Sequence, residues 1–406
     1  MNSEQVIQME NENMLATYAR LPIVIKTGKG CMVYDPEGKS YLDFVAGIAV
    51  NLLGYGYQPL IQAIFEQAQE LIHASNLYYT LPQTQLAKDL IDISGFDRVF
   101  FNNSGAEANE IALKMARFYG RRKHGNRYKF ITFSQSFHGR TFLTLTATAQ
   151  EKFHHDLEPL VSGMSYAEFN QIESVMKVID DETCGIIVEP IQGEGGIFCS
   201  KPSFLHQIRD ICNERDIILI FDEVQCGMGR TGRFFAFETY GVKPDIVTLA
   251  KGLGGGLPIG AVLVNEKIVN ITRKGDQGST FGGNPICTRA AQIVVNTIAQ
   301  TDFLKNVIET GEYLQQQLYQ TQQKFNDLIQ EVRGIGLMWG LQVTGKAKLI
   351  VEKMLEKGVI VNAANDDVVR LLPPLIVGKK EIDQMVKSLV EVLLDIQFTN
   401  TVPGMK

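Results

Sequence analysis

A lysine and an aspartate each follow an apolar run in the sequence. Lys251 comes directly after residues 246–250 and leads into a glycine-rich segment, and Asp222 comes directly after residues 217–221. A lysine at a strand end is most often solvated, and a strand-terminal aspartate most often caps a turn or helix. If the two runs are neighbouring parallel strands, both side chains lie at one edge of the sheet, where functional groups gather. An amine there can form a Schiff base, and a carboxylate can pair with a cation.

A segment that could bind phosphate comes earlier in the chain. Ser104, Gly105 and Ala106 connect a predicted strand to a segment whose apolar residues recur with helical spacing. The backbone N–H groups at such a helix start, together with the Ser104 hydroxyl, would hold a phosphate through hydrogen bonds and the helix dipole. Taken alone, the segment is an ordinary helix cap. Together with Lys251 and Asp222, it favours a phosphate site.

Further candidate groups follow other predicted strands. Phe137 and Arg140 come after residues 129–133, and Ser279 and Thr280 bring two hydroxyls to a loop at 278–285. The G-x-G-x-x-G at 227–232 does not directly follow its strand, which argues against a nicotinamide site. The histidines lack metal-ligand spacing, and no G-x-S-x-G elbow indicates a serine hydrolase. An amine, a carboxylate, an aromatic face, a phosphate cup and an arginine together are the parts of a pyridoxal phosphate (PLP) site.

The elements that must position these residues follow an α/β rhythm. Short β-branched runs alternate with helical patterns between residues 86 and 298, which predicts a mostly parallel sheet covered by helices. The predicted strands are 98–101, 129–133, 185–188, 217–221, 246–249 and 261–264. A long helical pattern from residue 302, shorter strands and a last helix from residue 380 predict a smaller α+β domain. We therefore expect an N-terminal segment at 1–55 packing with the small domain, a large cofactor-binding domain at 56–300 and the small domain at 301–406.

Composition restricts the partners and the location. The 406 residues are 45% hydrophobic and 21% charged, and the formal net charge is -6. This mild acidity, without a basic run, argues against nucleic acid as a partner. No apolar run approaches the roughly 20 residues that a membrane span requires. The polar N-terminus resembles neither a signal nor a transit peptide, so we expect a cytoplasmic protein without a membrane partner.

Several segments, in order along the chain, resemble the motifs of the class III aminotransferases, which have the type I fold of PLP-dependent transferases. The segments are 103–109, 137–141, 188–194, 221–225 continuing to 230–232, 251–252 and 279–284. The resemblance covers essentially the whole chain. It implies an α/β protein with a mostly parallel sheet of the seven-stranded type in a large domain, and a smaller α+β domain. Tyr55 and Tyr57 depart from the family, which commonly has histidines there, and this weakens the prediction of the substrate more than that of the reaction class.

The resemblance also implies roles at the cofactor. Lys251 would bind PLP as a Schiff base and then act as the base that moves a proton on the substrate. Asp222 would bind the ring nitrogen, Phe137 would stack on the ring and Gln225 would bond the ring's 3-oxygen. The remaining residues that are implied to contact the cofactor are Ser104, Gly105, Ala106, Glu223, Val224 and Thr280, and no metal is implied.

The substrates implied are an amino donor and 2-oxoglutarate. Ile48 and its small neighbours stand where ornithine-specific relatives have a tyrosine, which favours N2-acetylornithine as the donor. Arg140, with Ser279 nearby, would bind the α-carboxylate of this donor, and Arg370 that of glutamate. Glu194 would pair with Arg370 while the ornithine derivative is bound.

The resemblance further implies a homodimer, in which Thr280 of one subunit completes the cofactor site of the other. Alternatives remain open for the function. Ornithine, succinylornithine and 4-aminobutyrate are alternative donors within the same class of enzyme. A non-catalytic binding protein on this fold is a more distant alternative.

Overall fold

The computed structural model describes residues 1–401, with side chains through residue 398. Its helices are α1 Ser3–Asn13, α2 Ala46–Ala49, α3 Gln58–Glu70, α4 Leu81–Ser94, α5 Gly105–His124, α6 Phe142–Ala147, α7 Ile172–Val178, α8 Pro202–Arg215, α9 Ala236–Tyr240, α10 Glu266–Ile271, α11 Pro285–Ile298, α12 Thr301–Lys324, α13 Ala347–Glu356 and α14 Lys379–Thr401. Two single-turn 3-10 helices are Glu151–Phe153 and Lys251–Gly254.

The strands are β1 Thr27–Lys29, β2 Met32–Tyr34, β3 Ser40–Asp43, β4 Arg98–Asn102, β5 Lys129–Phe133, β6 Met164–Ala167, β7 Thr183–Val188, β8 Ile191–Gln192, β9 Phe198–Cys199, β10 Ile218–Asp222, β11 Ile246–Leu249, β12 Gly260–Val264, β13 Glu331–Ile335, β14 Met338–Gln342, β15 Val359–Ile360, β16 Asn362–Asn365 and β17 Val368–Leu371.

The chain divides into two compact units. The large unit comprises Pro59–Ile308 and Gly334–Gly336. The small unit comprises Met1–Gln58, Glu309–Arg333 and the described part of Leu337–Lys406. The domain boundaries expected from the sequence, at 55/56 and 300/301, stay predictions.

The large unit is built on a seven-stranded sheet with the order β4-β12-β11-β10-β7-β5-β6. Strands β11, β10, β7, β5 and β6 pair in parallel, and β12 pairs antiparallel with both β11 and β4. Its central strands are buried along their whole length, as β-branched runs covered by helices on both faces should be. The predicted α/β class and the mostly parallel, seven-stranded sheet are confirmed.

The small unit contains two antiparallel or mixed sheets with their helices. One sheet has the order β1-β2-β3-β15, and β3 pairs in parallel with β15. The other has the order β13-β14-β17-β16. Helix α13 packs on β15, β16 and β17 and against α14. This arrangement agrees with the predicted α+β architecture.

Five strands were not predicted from the sequence: β6, β8, β9, β13 and β16. β6 is an edge strand with the sequence Met-Ser-Tyr-Ala and only its last residue is buried, so it lacks the apolar run that marks the inner strands. β13 and β16 are likewise edge strands of their sheet, and β16 has the polar sequence Asn-Ala-Ala-Asn. Along residues 1–401, no helix has the length and apolar character needed to cross a membrane. The cytoplasmic location stays a prediction.

Candidate active site

A cavity of about 240 Å³ lies in the large unit at the carboxyl ends of the central strands. Its walls bring together nine of the residues that the sequence pointed to, from five separate segments of the chain. It is lined by Gly105, Ala106, Asn109, Phe137, His138, Gly139, Arg140, Glu189, Glu194, Asp222, Val224, Gln225 and Lys251. The structure therefore agrees with the expectation that the functional side chains lie at the carboxyl ends of the strands.

Sheet register explains why the charged groups meet. Asp222 is the last residue of β10 and is paired with Thr248 of β11, and Lys251 follows Thr248 by three residues. Lys251 has a φ of 42°, in the left-handed region that non-glycine residues rarely adopt. Such local strain persists where the surrounding structure enforces it, and it is common at functional sites. The strand end and the following 3-10 turn thus set the lysine at the cavity wall.

The Asp222 carboxylate is buried, and both of its oxygens accept hydrogen bonds. Only 4% of the residue is exposed. Its Oδ2 accepts hydrogen bonds from Asn109 Nδ2 at 2.7 Å and from His138 Nδ1 at 2.8 Å, and its Oδ1 accepts one from the Val224 backbone N–H at 3.0 Å. These three hydrogen bonds fix the position of the carboxylate at the cavity wall.

The donors themselves are held in place. Asn109 Nδ2 also donates to the His138 carbonyl at 2.8 Å, and Asn109 Oδ1 accepts from the Thr248 hydroxyl at 2.8 Å. These bonds fix which end of the amide faces Asp222. Among the described residues, His138 Nε2 is buried and has no hydrogen-bond partner. The tautomer with its proton on Nδ1 makes the bond to Asp222 and leaves no second buried N–H unpaired.

A second buried carboxylate, Glu189, stands beside Asp222. Val188 of β7 is paired with Phe221 of β10, so Glu189 and Asp222 end neighbouring strands. Glu189 accepts hydrogen bonds from the backbone N–H of Phe137 at 3.0 Å and of Gly193 at 3.2 Å. Burial, and then the charge of Asp222, raise the pKa of Glu189 well above its usual value.

The sequence interpretation missed Glu189, Asn109 and His138 as site residues. All three lie within or next to the motifs it used, and they line the cavity. The register argument that was applied to Asp222 and Lys251 would have identified Glu189, since it also follows a buried strand. Nothing in the sequence alone aligns Asn109 and His138 on one carboxylate oxygen.

Part of the cavity wall is the start of helix α5. Ser104 is the helix N-cap, and its hydroxyl accepts the Glu107 N–H and contacts the Glu107 carboxylate, each at 3.2 Å. Within the residues that the structure describes, the N–H groups of Gly105 and Ala106 make no hydrogen bond. A Cβ on Gly105 would lie 2.8 Å from Val224 Cγ1, so the helix start approaches the β10 loop too closely for a side chain. This helix start therefore presents backbone N–H donors to an anion.

These features fit PLP. The Asp222 carboxylate suits a protonated ring nitrogen, the N–H groups of Gly105 and Ala106 at the start of a long helix suit a phosphate, and Lys251 offers the amine. Phe137 supplies an aromatic wall. Gln225 lines the same cavity, and its Nε2 lies 3.3 Å from Glu194 Oε1. The residues that would hold the cofactor are therefore present in one cavity of the large unit.

Some predicted residues lie elsewhere. The Glu223 carboxylate accepts the backbone N–H groups of Ala236 and Phe237 at 2.6 and 2.7 Å, and the residue does not line the cavity. A cofactor contact of its side chain is therefore not supported, because that carboxylate caps helix α9. Ser104 also stands outside the lining, with its hydroxyl engaged by Glu107.

The loop of Ser279 and Thr280 does not line this cavity within one chain. Ser279 Oγ accepts from the Gly282 N–H at 2.9 Å and from Asn103 Nδ2 at 3.2 Å. Thr280 lines a different and smaller pocket near Asn76. A contribution of this loop to the site of a second subunit stays a prediction.

Two further predicted residues belong to the small unit. Arg370 is on β17, is 1% exposed, and its Nε donates to Asn362 Oδ1 at 3.3 Å. Ile48 lies in a turn at 46–49 where Ala46, Gly47, Ile48 and Ala49 all have positive φ. The Asp43 carboxylate accepts the N–H groups at the start of this turn and the Tyr55 hydroxyl at 2.7 Å.

Comparisons with known proteins find relatives that match almost the whole chain. Residues 14–393 match the model of the family described as aminotransferase class III. The chain is 50% identical over 398 residues to the acetylornithine aminotransferase of Methanocaldococcus jannaschii, which covers 98% of this chain and 100% of that protein. It is 48% identical over 395 residues to the acetylornithine aminotransferase of Caldanaerobacter subterraneus, over 97% of this chain and 100% of that protein.

Solved structures are similar over almost the whole chain. The N-acetylornithine aminotransferase of Stenotrophomonas maltophilia is 33% identical with a TM-score of 0.83, covering 97% of this chain and 100% of that one. The ornithine aminotransferase of Toxoplasma gondii is 27% identical with a TM-score of 0.94, covering 98% and 96%.

Proposed function

The chain belongs to the class III aminotransferases, and we propose that it transfers the terminal amino group of N2-acetyl-L-ornithine to 2-oxoglutarate. The products are N-acetylglutamate semialdehyde and glutamate, in a reversible step of arginine biosynthesis. One observation carries the proposal: a single cavity joins Lys251, Asp222 and Arg140 in a chain that is half identical, along nearly its full length, to an acetylornithine aminotransferase.

PLP, when bound, supplies a carbonyl that links to amines and a ring that withdraws electrons from the carbon next to the linked nitrogen. Residues of this chain would hold both its phosphate and its ring. The N–H groups of Gly105 and Ala106 would bind the phosphate, and Asp222 would accept a hydrogen bond from the protonated ring nitrogen. The hydrogen bonds that Asp222 accepts from Asn109 and His138 hold its carboxylate in place. Phe137 packs against the ring, and Val224 and Gln225 complete the wall.

Lys251 would be the covalent attachment point. Once the amine of the substrate has displaced it, its free amine would be the base that moves a proton from the amine-bearing carbon of the substrate to the cofactor. The amine must be neutral for this task. The strained backbone at Lys251 fixes where the side chain enters the cavity.

The donor is held by its α-carboxylate. Arg140 is the exposed cation of the cavity lining, and an arginine presents donors that match a carboxylate in a planar, bidentate manner. With the α-carboxylate on Arg140, the terminal amine of an ornithine derivative is the group left to reach Lys251. Ser279 is assigned a supporting contact from the loop at 278–285.

Glutamate has to be accepted by the same enzyme in the second half-reaction. Arg370 is assigned to the α-carboxylate of glutamate, and Glu194 pairs with Arg370 while acetylornithine is bound. Burying an ion pair has a large desolvation cost. We therefore interpret the Glu194–Arg370 pair as a switch between the acetylornithine-bound and glutamate-bound enzyme, not as a source of stability. Glu194 lines the cavity and contacts Gln225, which supports its assignment to the site.

The enzyme acts as a homodimer in this proposal, with the loop of Thr280 reaching the partner's phosphate site. Large apolar side chains next to this loop support an interface: Ile72, Leu77, Tyr78, Tyr79, Leu81 and Phe281 are all at least 60% exposed. They form one surface, because Asn76 donates to the carbonyls of Ser279 and Gly282, and the ring of His73 lies 5.4 Å from that of Phe281. An exposed patch of this kind marks an association surface.

A panel of amino donors with 2-oxoglutarate tests the proposal. We expect the highest kcat/KM for N2-acetylornithine, measured as glutamate formed, with ornithine, succinylornithine and 4-aminobutyrate below it. A higher kcat/KM for one of the other donors would assign the chain to a different substrate within the same class. Absence of turnover by a protein that binds PLP would favour the non-catalytic alternative.

A further inference from the structure

The guanidinium of Arg140 is supported by aromatic rings rather than by carboxylates. Its Cζ lies 4.1 Å from the centroid of the Phe153 ring and 5.8 Å from that of Phe137. The two rings meet edge to face at 5.8 Å and 73°. Among the described residues, Arg140 has no ion pair and no side-chain hydrogen bond. Its N–H donors therefore remain available to a ligand at the cavity.

Phe153 is held firmly relative to this wall of the cavity. It ends the 3-10 turn Glu151–Phe153, in which its N–H donates to the Gln150 carbonyl at 3.0 Å. The buried Gln150 amide donates to the carbonyls of Ser136 at 2.9 Å and Gln135 at 3.3 Å, directly before Phe137. The turn that bears Phe153 and the segment that bears Phe137 and Arg140 are thus tied together.

We propose that Phe153 is a specificity-determining residue that positions Arg140 for the carboxylate of the amino donor. A ring against the flat face of a guanidinium leaves the in-plane N–H groups untouched, because these donors point outward from its edge. The contact restricts a side chain that otherwise has many rotamers, so less entropy is lost when a carboxylate binds. This inference rests on the proposed function, specifically on the role of Arg140.

Lys152 is the other cation at this ring, with Nζ 4.9 Å from the Phe153 centroid. It is exposed and contributes a general positive charge rather than a planar, bidentate site. Thr141, next to Arg140, donates to the Glu110 carboxylate at 2.6 Å. Phe153 is the nearer of the two aromatic rings at the guanidinium, so we assign the orientation of Arg140 to it.

The test compares two amines that differ only in the carboxylate: N2-acetylornithine and its decarboxylated analogue, N-acetylputrescine. Phe153→Leu should raise the KM for acetylornithine by about 3- to 30-fold with kcat within about twofold, and should leave kcat/KM for acetylputrescine unchanged. Phe153→Tyr, which keeps the ring face, should behave as the wild type. Phe142→Leu, which removes an exposed ring two residues from Arg140, is the matched control and should change neither value.

A double-mutant cycle separates positioning from a general structural role. In an Arg140→Met background, adding Phe153→Leu should cause no further loss with acetylornithine, because the ring acts through the guanidinium. Calorimetric binding of N-acetylnorvaline, which has the carboxylate and acetyl group but no reactive amine, should weaken by the same factor in Phe153→Leu.

Equal losses for both amines in Phe153→Leu, or an undiminished loss in the Arg140→Met background, would overturn the role of Phe153 while leaving the proposed function intact. A wild-type protein that prefers the decarboxylated amine would overturn the carboxylate contact of Arg140 and the inference with it.

Discussion

Replacing Asp222 by asparagine changes one atom of the side chain, and the surrounding hydrogen bonds make this change severe. Oδ2 faces two donors, Asn109 Nδ2 and His138 Nδ1, while Oδ1 faces the N–H of Val224. Whichever way the new amide is turned, its NH2 group meets a donor. His138 can relieve this donor–donor contact by moving its proton to Nε2. Asn109 cannot, because turning its amide would place an oxygen against the His138 carbonyl.

The magnitude follows from the bonds that are lost. A hydrogen bond to a charged group contributes about 1.5 to 3 kcal/mol. Asp222→Asn gives up the charge-assisted character of three such bonds and creates one donor–donor conflict, while a neutral amide is cheaper to bury. We expect the free energy of unfolding of the apo protein to fall by about 2 to 4 kcal/mol. Turnover should fall further, by roughly 10² to 10³, because the ring nitrogen loses its counter-charge.

Three measurements on the same preparation distinguish these effects: denaturant unfolding of the apo protein, retention of PLP after gel filtration, and the single-turnover rate with acetylornithine. Asp245→Asn is the matched control, since Asp245 is also buried in the large unit and accepts from Arg209, Leu219 and Asn265 away from the cavity. Asp245→Asn should lower the free energy of unfolding but should leave the retention of PLP and the single-turnover rate with acetylornithine unchanged. An Asp222→Asn protein with wild-type stability and turnover would refute both the hydrogen-bond argument and the role of Asp222.

Three other predictions concern charged groups. Lys251→Ala should keep PLP by non-covalent contacts but lose turnover by several orders of magnitude, measured under single-turnover conditions. Arg370→Ala should cripple the half-reaction with glutamate and spare that with acetylornithine, and Glu194→Ala should do the reverse; equal losses in both would leave these residues a purely structural role. Burial raises the folded-state pKa of Glu223 to about 8, above its value in the unfolded chain. Protonated Glu223 therefore contributes fully to the free energy of unfolding below the pKa of the unfolded chain. This contribution is lost as the pH rises through about 8. Unfolding free energies between pH 5 and pH 8 should fall less steeply in Glu223→Gln than in the wild type, and an unchanged slope would contradict this.

Much of the large unit could be predicted because its strands are buried on both faces. Apolar runs such as residues 246–249 and 129–133 match the strands of the structure, since a parallel sheet covered by helices requires continuous β-branched segments. The edge strand β6 has no such requirement, and its exposed tyrosine gives no signal. Asp222 and Lys251 directly follow continuous apolar runs, so their positions at strand ends could also be predicted from the sequence.

The parts of the site that could not be predicted depend on tertiary geometry. Glu223 directly follows Asp222 in the sequence, yet its carboxylate caps helix α9 instead of lining the cavity. His138 has no distinguishing pattern, although it contacts Asp222 at 2.8 Å. Phe153 is separated from Arg140 by twelve intervening residues and meets it only because the 3-10 turn folds back on the segment at 135–137.

The central claim is that Lys251 is the residue of this chain that carries PLP. Reduction of the yellow holoenzyme with borohydride fixes the cofactor to the amine that bears it, and peptide mapping by mass spectrometry then locates the label. We predict a single labelled peptide, modified at Lys251 and absent from the Lys251→Ala protein. A label on any other lysine, or a holoenzyme in which Lys251 stays unmodified, would contradict the assignment of this cavity as the active site.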